Sequence, residues 1–310
     1  MPRQIVFLLF LISVTPAIWA EEVRETVDKS SRIVFLGDSI TAAGQYIGYF
    51  DAYLTTQRKK DAPTIINCGL PSETVSGLSE EGHAGGAFPR PDLAERLDGV
   101  LTLTKPDLVI ACYGINCGIY EPFAEERLAR YQQGMQRLNE KVDEAGAKLI
   151  LITPPFYDDQ RAPKKFSYNE VLDRYSEWLL DQRSNEWLVI DLHERMTKEV
   201  ETRRAQDKGF TFQPDGVHPN DAGHWYMAQQ LILSLGDQRA SKWSTPEEMV
   251  NDLDAPNELL SLTKQRVDLL RDAYVGAAGH KRPGVAKGLP LDDAQKKATE
   301  LNAKIQSLVQ

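Results

Sequence analysis

The fold is decided by one short stretch, Ile33-Val34-Phe35-Leu36-Gly37-Asp38-Ser39-Ile40-Thr41, in which four apolar residues run into a glycine, an aspartate and a serine. A short apolar run that ends in a turn signal is typical of a buried strand in a parallel sheet. Open sheets of this kind carry their chemistry just beyond the carboxyl ends of the strands, so Ser39 is the first candidate nucleophile. Gly37 permits a sharp turn, and a helix that begins after it would point its free N–H groups back at Ser39. The same residues are also compatible with an ordinary Gly-Asp-Ser turn.

Four further apolar or β-branched runs follow, and segments with helical spacing separate them. Strands are predicted over residues 32–36, 64–67, 108–113, 148–153 and 187–191, and helices over residues 92–103, 123–145 and about 167–183. Parallel strands need long crossover connections, so this alternation predicts a three-layer α/β/α sandwich with a five-stranded parallel sheet. Residues 69–91 are rich in glycine and have no period, which predicts a long functional loop.

The first twenty residues differ from the rest of the 310-residue chain. Arg3 precedes an apolar stretch over residues 5–14, and Ala20 is a small residue before two glutamates. This pattern predicts a secretory signal peptide over residues 1–20, followed by a polar linker over residues 21–31. We therefore expect a secreted or periplasmic protein, with no membrane contact after cleavage; an uncleaved anchor is the minority alternative.

Charge and cysteine content exclude several classes of protein. Loss of residues 1–20 removes only Arg3 from the charged residues, so 35 basic residues stand against 45 acidic ones and the formal charge changes from −9 to −10. An acidic balance disfavours nucleic acid as a partner. Cys68, Cys112 and Cys117 are too few for a disulfide framework and lack metal-site spacing, so buried free thiols are expected, with a bridge through Cys117 left open. No phosphate-binding glycine loop is present either, and we expect neither a metal nor a cofactor.

The chain changes character after Gly236. A capping box runs from Thr245 to Glu248, with Pro246 at the first helical position, and helical spacing continues to Tyr274. A basic, glycine-rich turn over residues 276–290 then leads to a last helix. We expect a main domain over residues 32–239 and a helical hairpin over residues 240–310, whose basic turn is either solvated surface or reaches over the functional site.

Asp215 and His218 stand three residues apart, which lets the carboxylate reach the imidazole from the same side. A serine hydroxyl is a weak nucleophile until a base takes its proton, and the base needs a third group to fix its tautomer. Ser39, His218 and Asp215 together can supply these three roles. Of the other histidines, His83 and His280 lie in glycine-rich loops, His193 follows Asp191 by only two residues, and His224 lies within the helix after Asp221.

Acyl transfer also needs donors aimed at the developing oxyanion, each worth about 2.7–4 kcal/mol. Asn116 directly follows the third predicted strand, so its amide can lie at the same sheet edge as Ser39. The second strand leads into residues 67–74, which offer backbone N–H groups. Asp38, together with His83 and Phe88 of the glycine-rich loop, is a candidate substrate contact.

These blocks resemble the SGNH or GDSL hydrolases, in the order of that family and over about residues 32–235. The matching blocks are Gly37-Asp38-Ser39-Ile40-Thr41, Gly114-Ile115-Asn116 and Asp215-Gly216-Val217-His218. The resemblance implies a flavodoxin-like SGNH fold with Ser39 as the nucleophile, His218 as the base and Asp215 as its orienting group. It also implies that the Ser39 N–H and the Asn116 side chain hold the oxyanion.

The second block departs from the family pattern. The family's oxyanion glycine corresponds to Ser72, whose backbone N–H can still donate, and Gly69 is the alternative donor. Cys117 stands where many members have aspartate.

The sequence therefore predicts an exported serine esterase that hydrolyses a short acyl ester, preferably an acetyl group on a carbohydrate, through an acyl-enzyme. The expected partner is a small-molecule or polysaccharide ester. A lipid-directed esterase or lysophospholipase is the nearest alternative. A non-catalytic carbohydrate-binding or scaffold protein, with the C-terminal hairpin as its interaction element, is the alternative from another class.

Overall fold

The computed structural model describes residues 16–310 and contains a five-stranded, all-parallel sheet in the order β2-β1-β3-β4-β5. The strands are β1 (Arg32–Gly37), β2 (Thr64–Asn67), β3 (Leu108–Cys112), β4 (Lys148–Ile152) and β5 (Leu188–Ile190). All five residues of β3 are buried, as expected for a central strand that is covered on both faces. The predicted parallel sheet and its five strands are confirmed.

Helices cover both faces of the sheet and complete the predicted three-layer sandwich. They are α1 (Pro16–Lys29), α2 (Ser39–Ala43), α3 (Gln45–Arg58), α4 (Leu97–Thr104), α5 (Glu125–Glu144), α6 (Asn169–Asp181), α7 (His193–Arg204), α8 (Asp221–Ser234), α9 (Pro246–Met249), α10 (Pro256–Ala278) and α11 (Leu291–Leu308). Helix α3 packs against α8 and α10, whereas α4, α5, α6 and α7 pack in series.

The strand order positions the candidate site. The chain leaves β1 towards β2 on one side and reaches β3 on the other, so a crevice opens where β1 and β3 lie side by side. The register pairs Gly37 with Cys112 at the carboxyl ends of these two strands. The segments that carry Ser39 and Asn116 therefore leave the sheet at the same edge.

The predicted linker over residues 21–31 is wrong for most of its length, because α1 continues to Lys29. Val23 and Val27 lie one helical turn apart and are both buried in the core, and the polar residues around them face outward. Two apolar residues at this spacing are enough to dock a short helix, although they are too few to stand out in a polar sequence. Most of the predicted signal peptide, residues 1–15, lies outside the described residues.

Two other expectations are refined. The helix predicted over residues 92–103 is divided into a 3₁₀ turn, Leu93–Glu95, and α4. At the capping box, the Thr245 side chain makes no cap hydrogen bond, and Glu248 instead accepts the Ser244 N–H at 2.6 Å.

The C-terminal hairpin, formed by α10 and α11, shares the core of the α/β/α sandwich. Helix α10 packs against α3, α4 and the edge strand β2. Asp51 of α3 is fully buried, and Arg266 of α10 binds its two carboxylate oxygens at 2.7 and 2.8 Å. Helix α10 thus protects the edge of the sheet, which would otherwise expose unpaired backbone groups.

No helix within residues 16–310 is long and apolar enough to cross a membrane. In the same residues, no group of three or more His, Cys, Asp and Glu side chains is arranged to hold a metal ion. The three cysteines are buried and free.

Candidate active site

Ser39 is the first residue of α2, directly beyond β1. The Asp38 carboxylate caps this short helix by accepting the Ile40 N–H at 2.9 Å, whereas the Ser39 N–H has no partner within the helix. A Cβ at Gly37 would lie 2.1 Å from the Thr41 hydroxyl oxygen and 2.9 Å from the Cys112 carbonyl oxygen, so only glycine fits this turn. The turn therefore places a hydroxyl and a free N–H together at the sheet edge.

His218 and Asp215 approach Ser39 from the loop before α8. The Ser39 Oγ lies 2.9 Å from His218 Nε2, and His218 Nδ1 lies 2.7 Å from Asp215 Oδ2. The other Asp215 oxygen accepts the backbone N–H groups of Val217 and His218. Partial burial raises the pKa of Asp215, but the hydrogen bonds from His218 and from these backbone groups outweigh it and lower the pKa overall. Asp215 is thus held ionised, in a position to fix the imidazole tautomer.

The loop after β2 distinguishes between the two candidate backbone donors. Ser72 adopts the left-handed conformation, with φ of +67°, which glycine reaches without strain. The Gly69 N–H instead donates to Asn67 Oδ1 at 2.8 Å, and a Cβ at Gly69 would lie 2.4 Å from the Ala42 backbone nitrogen. Gly69 is therefore required for close packing against α2, and its N–H is already used.

Asn116 is buried beside this loop, and its amide orientation is set by two contacts. Its Nδ2 donates to the Glu73 carbonyl oxygen at 3.3 Å, and its Oδ1 accepts the Tyr120 hydroxyl at 3.0 Å. Because Tyr120 occupies the oxygen side of the amide, the nitrogen remains the donor that can face the oxyanion. The Tyr120 ring is stacked on Tyr168, with 4.9 Å between ring centroids.

A buried ion pair supports the same loop from beneath. Glu73 binds Arg96 through two contacts of 2.6 Å and accepts the Tyr113 hydroxyl at 2.5 Å, while Arg96 also donates to the Cys68 carbonyl oxygen. Tyr120, Glu73 and Arg96 were not predicted from the sequence. A glutamate between two turn residues gives no local signal of burial, and its arginine partner lies on a distant segment.

The candidate substrate contacts have different surroundings. Asp38 is buried, and burial raises its pKa to about 7 even though the Ile40 N–H and nearby cationic groups oppose this. Its position is that of a helix cap. His83 binds Glu80 at 3.0 Å and packs edge-on against Phe88. Neither His83 nor Phe88 lines the cavity that contains Ser39.

A cavity of about 300 Å³ opens at Ser39 and is walled on one side by the C-terminal turn. Its lining comprises Ser39, Ala42, Ala43, Gly69, Pro71, Arg271, Asp272, Val275, Arg282, Gly284, Val285 and Ala286. The basic turn was expected either to be solvated surface or to reach over the functional site, and the structure places part of it against the cavity at Ser39. The turn reaches Ser39 because α10 is packed on α3 and β2.

Comparison with known proteins agrees with this geometry. A family described as GDSL-like lipase/acylhydrolase matches residues 35–226, which is more than half of the chain and includes Ser39, Asn116 and His218. The chain belongs to this family. It is a carboxylic ester hydrolase, and the match ends within α8, so the segment from α9 to α11 lies outside it.

Several solved structures share the fold of this GDSL-like hydrolase. BT4096, described as a gut microbial diltiazem-metabolizing enzyme, has a TM-score of 0.55 and 22% identity over 66% of this chain and 47% of its own. LAE5, an alpha/beta hydrolase enzyme from the metagenome of Lake Arreo, has a TM-score of 0.52 and 23% identity, over 66% of this chain and 95% of its own. Axe2, an acetylxylan esterase from Geobacillus stearothermophilus, has a TM-score of 0.52 and 22% identity, over 67% and 95%.

These identities establish the fold alone, and the match spans less than half of BT4096. No curated protein sequence matches the chain.

Proposed function

We propose that this hydrolase is an exported serine esterase that removes a short acyl group, preferably acetyl, from a carbohydrate through an acyl-enzyme at Ser39. The observation that carries the proposal is the chain of two hydrogen-bond contacts from the Ser39 Oγ through His218 to Asp215, beside a cavity of about 300 Å³. A geometry of this kind lets the imidazole take the serine proton as the hydroxyl attacks the ester carbonyl.

The subsequent steps follow from the same contacts. The Ser39 N–H, the Ser72 N–H and the Asn116 amide would hold the oxyanion of the tetrahedral intermediate. His218 then gives its proton to the leaving alcohol, and a water activated by the same imidazole releases the acid and restores Ser39. Asp215 stabilises the imidazolium that forms in each half of the reaction.

One observation supports a carbohydrate as the alcohol portion of the ester. A separate groove of about 690 Å³ runs along the outer face of α8, beginning at Asp221 shortly after His218, and it includes the aromatic side chains of Trp225, Tyr226 and Trp243. Aromatic faces interspersed with carboxylates and amides suit the alternating apolar and hydroxyl surfaces of sugar rings.

The test compares p-nitrophenyl acetate, longer p-nitrophenyl esters and an acetylated oligosaccharide as substrates. We expect kcat/KM to fall as the acyl chain lengthens, and acetate to be released from the oligosaccharide. Ser39→Ala and His218→Ala should each lose about 10⁴-fold or more in kcat, while Ser184→Ala, at an exposed serine, is the matched control. A preference for long-chain esters would favour a lipid-directed esterase, and unchanged rates in both active-site variants would exclude Ser39 as the nucleophile.

A further inference from the structure

Of the two arginines that line the cavity at Ser39, one has no carboxylate partner among the described residues. Arg271 is paired with Asp268 and Asp272 at 2.8 Å each. Arg282, by contrast, donates to the carbonyl oxygen of its neighbour Pro283 at 2.9 Å, and no carboxylate in the described part of the chain lies within ion-pair distance of it. Its Nε is buried without an acceptor among the same residues.

An unpaired cation in this position is unfavourable in the absence of a ligand. Partial burial lowers the pKa of Arg282, because desolvation disfavours the charged form. A half-buried guanidinium that lacks a counter-ion gives up hydration without a compensating ion pair. The protein as a whole carries a formal charge of −9, so this cationic spot is opposite in sign to the molecule's net charge.

The turn that carries Arg282 is fixed at three points. Its guanidinium lies 5.2 Å from the centroid of the Phe88 ring, and the adjacent Lys281 binds Glu95 at 2.7 Å. Further along the turn, Gly288 packs so closely on α10 that a Cβ would lie 2.2 Å from the Asp272 carbonyl carbon. These contacts hold the turn against the cavity that Ser39 also lines, so that little ordering is needed when a ligand arrives.

We propose that the cavity is an anion-recognition subsite, and that Arg282 selects esters whose alcohol portion carries an anionic group near the acylated oxygen. The inference rests on the proposed esterase function and gives it a substrate class, namely acyl esters of acidic sugars. Guanidinium binds carboxylate and phosphate through paired, charge-assisted hydrogen bonds, and either group satisfies the chemistry seen here. Arg282 and the rest of the turn that lines the cavity lie outside the segment 35–226 that the family shares, whereas Ser39 lies within it.

The experiment compares three acetylated methyl glycosides that differ only at carbon 6: a neutral alcohol, a carboxylate and a phosphate. We expect the full chain to prefer at least one anionic form by about tenfold or more in kcat/KM, and to lose that preference as salt is raised. The better of the two anionic substrates identifies the carboxylate or the phosphate as the natural group. Arg282→Gln should abolish the preference, whereas Arg282→Lys, which keeps the charge, should retain part of it. Lys287→Gln removes a charge from the same turn outside the cavity and should leave the ratio unchanged.

Equal kcat/KM for the neutral and anionic substrates would overturn the inference, and so would an anionic-to-neutral ratio of kcat/KM that Arg282→Gln leaves unchanged. In either case, turnover of p-nitrophenyl acetate would still support the esterase function. If no ester is hydrolysed, the proposed function fails, and the subsite is then tested by measuring ligand binding with calorimetry. In that case, titration of methyl glucuronide and methyl glucoside 6-phosphate should show binding that Arg282→Gln weakens about tenfold or more. Binding of neither compound would overturn the subsite as well.

Discussion

The Tyr120→Phe substitution would test how the oxyanion donor is held. The hydroxyl of Tyr120 donates to Asn116 Oδ1 at 3.0 Å, and its loss leaves the amide free to rotate its oxygen towards the substrate. A neutral hydrogen bond contributes about 0.5–1.5 kcal/mol, which corresponds to a decrease of about two- to tenfold in kcat. KM should change little, because the interaction acts on the oxyanion of the transition state rather than on the bound ester.

The assay is p-nitrophenyl acetate hydrolysis by four proteins that form a double-mutant cycle. Asn116→Ala removes the donor itself and should lower kcat by about 10²–10³-fold. If Tyr120 acts through Asn116, then adding Tyr120→Phe to Asn116→Ala should cause no further loss. Tyr157→Phe is the matched control, since Tyr157 lies in the same aromatic cluster but donates to the Ala162 carbonyl oxygen. The reasoning is refuted if Tyr120→Phe lowers kcat by the same factor in both backgrounds, or if it raises KM alone.

Two further predictions concern stability. Arg266→Met should reduce the free energy of unfolding by about 3–5 kcal/mol, because it leaves Asp51 fully buried without its partner. Lys198→Ala, which breaks an exposed pair with Glu194, should have a much smaller effect. Urea denaturation measures both, and equal shifts would contradict the buried pair's role in anchoring α10. At Asp38, burial raises the folded-state pKa to about 7, above that of the unfolded chain, so the folded protein binds the extra proton. The free energy of unfolding should therefore fall as pH rises from about 4 to 7, by up to about 1.4 kcal/mol per pH unit. Asp38→Asn, which keeps the helix cap, should flatten that slope. Parallel curves of unfolding free energy against pH for the two proteins would contradict the raised pKa of Asp38.

The strands and the principal site residues were predictable because their signals are local. Each strand is a short apolar run, and the closest contact that requires glycine at position 37 is with Thr41, four residues away. Asp215 and His218 are near neighbours in sequence, so their pairing needed no knowledge of the fold. Helix α1 was missed for the opposite reason, because only its contact with the core makes Val23 and Val27 an apolar face.

Contacts between distant segments set the surroundings of Ser39. The sequence offered Ser72 and Gly69 as alternative donors, but the close approach of Gly69 to the Ala42 backbone is a consequence of how the loop after β2 packs on α2. In the same way, the hydrogen bond from Tyr120 to Asn116 depends on the stacking of the Tyr120 ring on Tyr168.

By itself, the amino-acid sequence determined the sheet, the order of its strands along the chain, and the serine, histidine and aspartate of the candidate site, since apolar periodicity and short motifs act over a few residues. Only the tertiary structure decided that the C-terminal hairpin belongs to the same core and that Arg282 lines the same cavity as Ser39. The physical reason is that this placement depends on the packing of α10 against α3 and β2 and on the buried pair of Arg266 with Asp51, which join residues far apart in the chain.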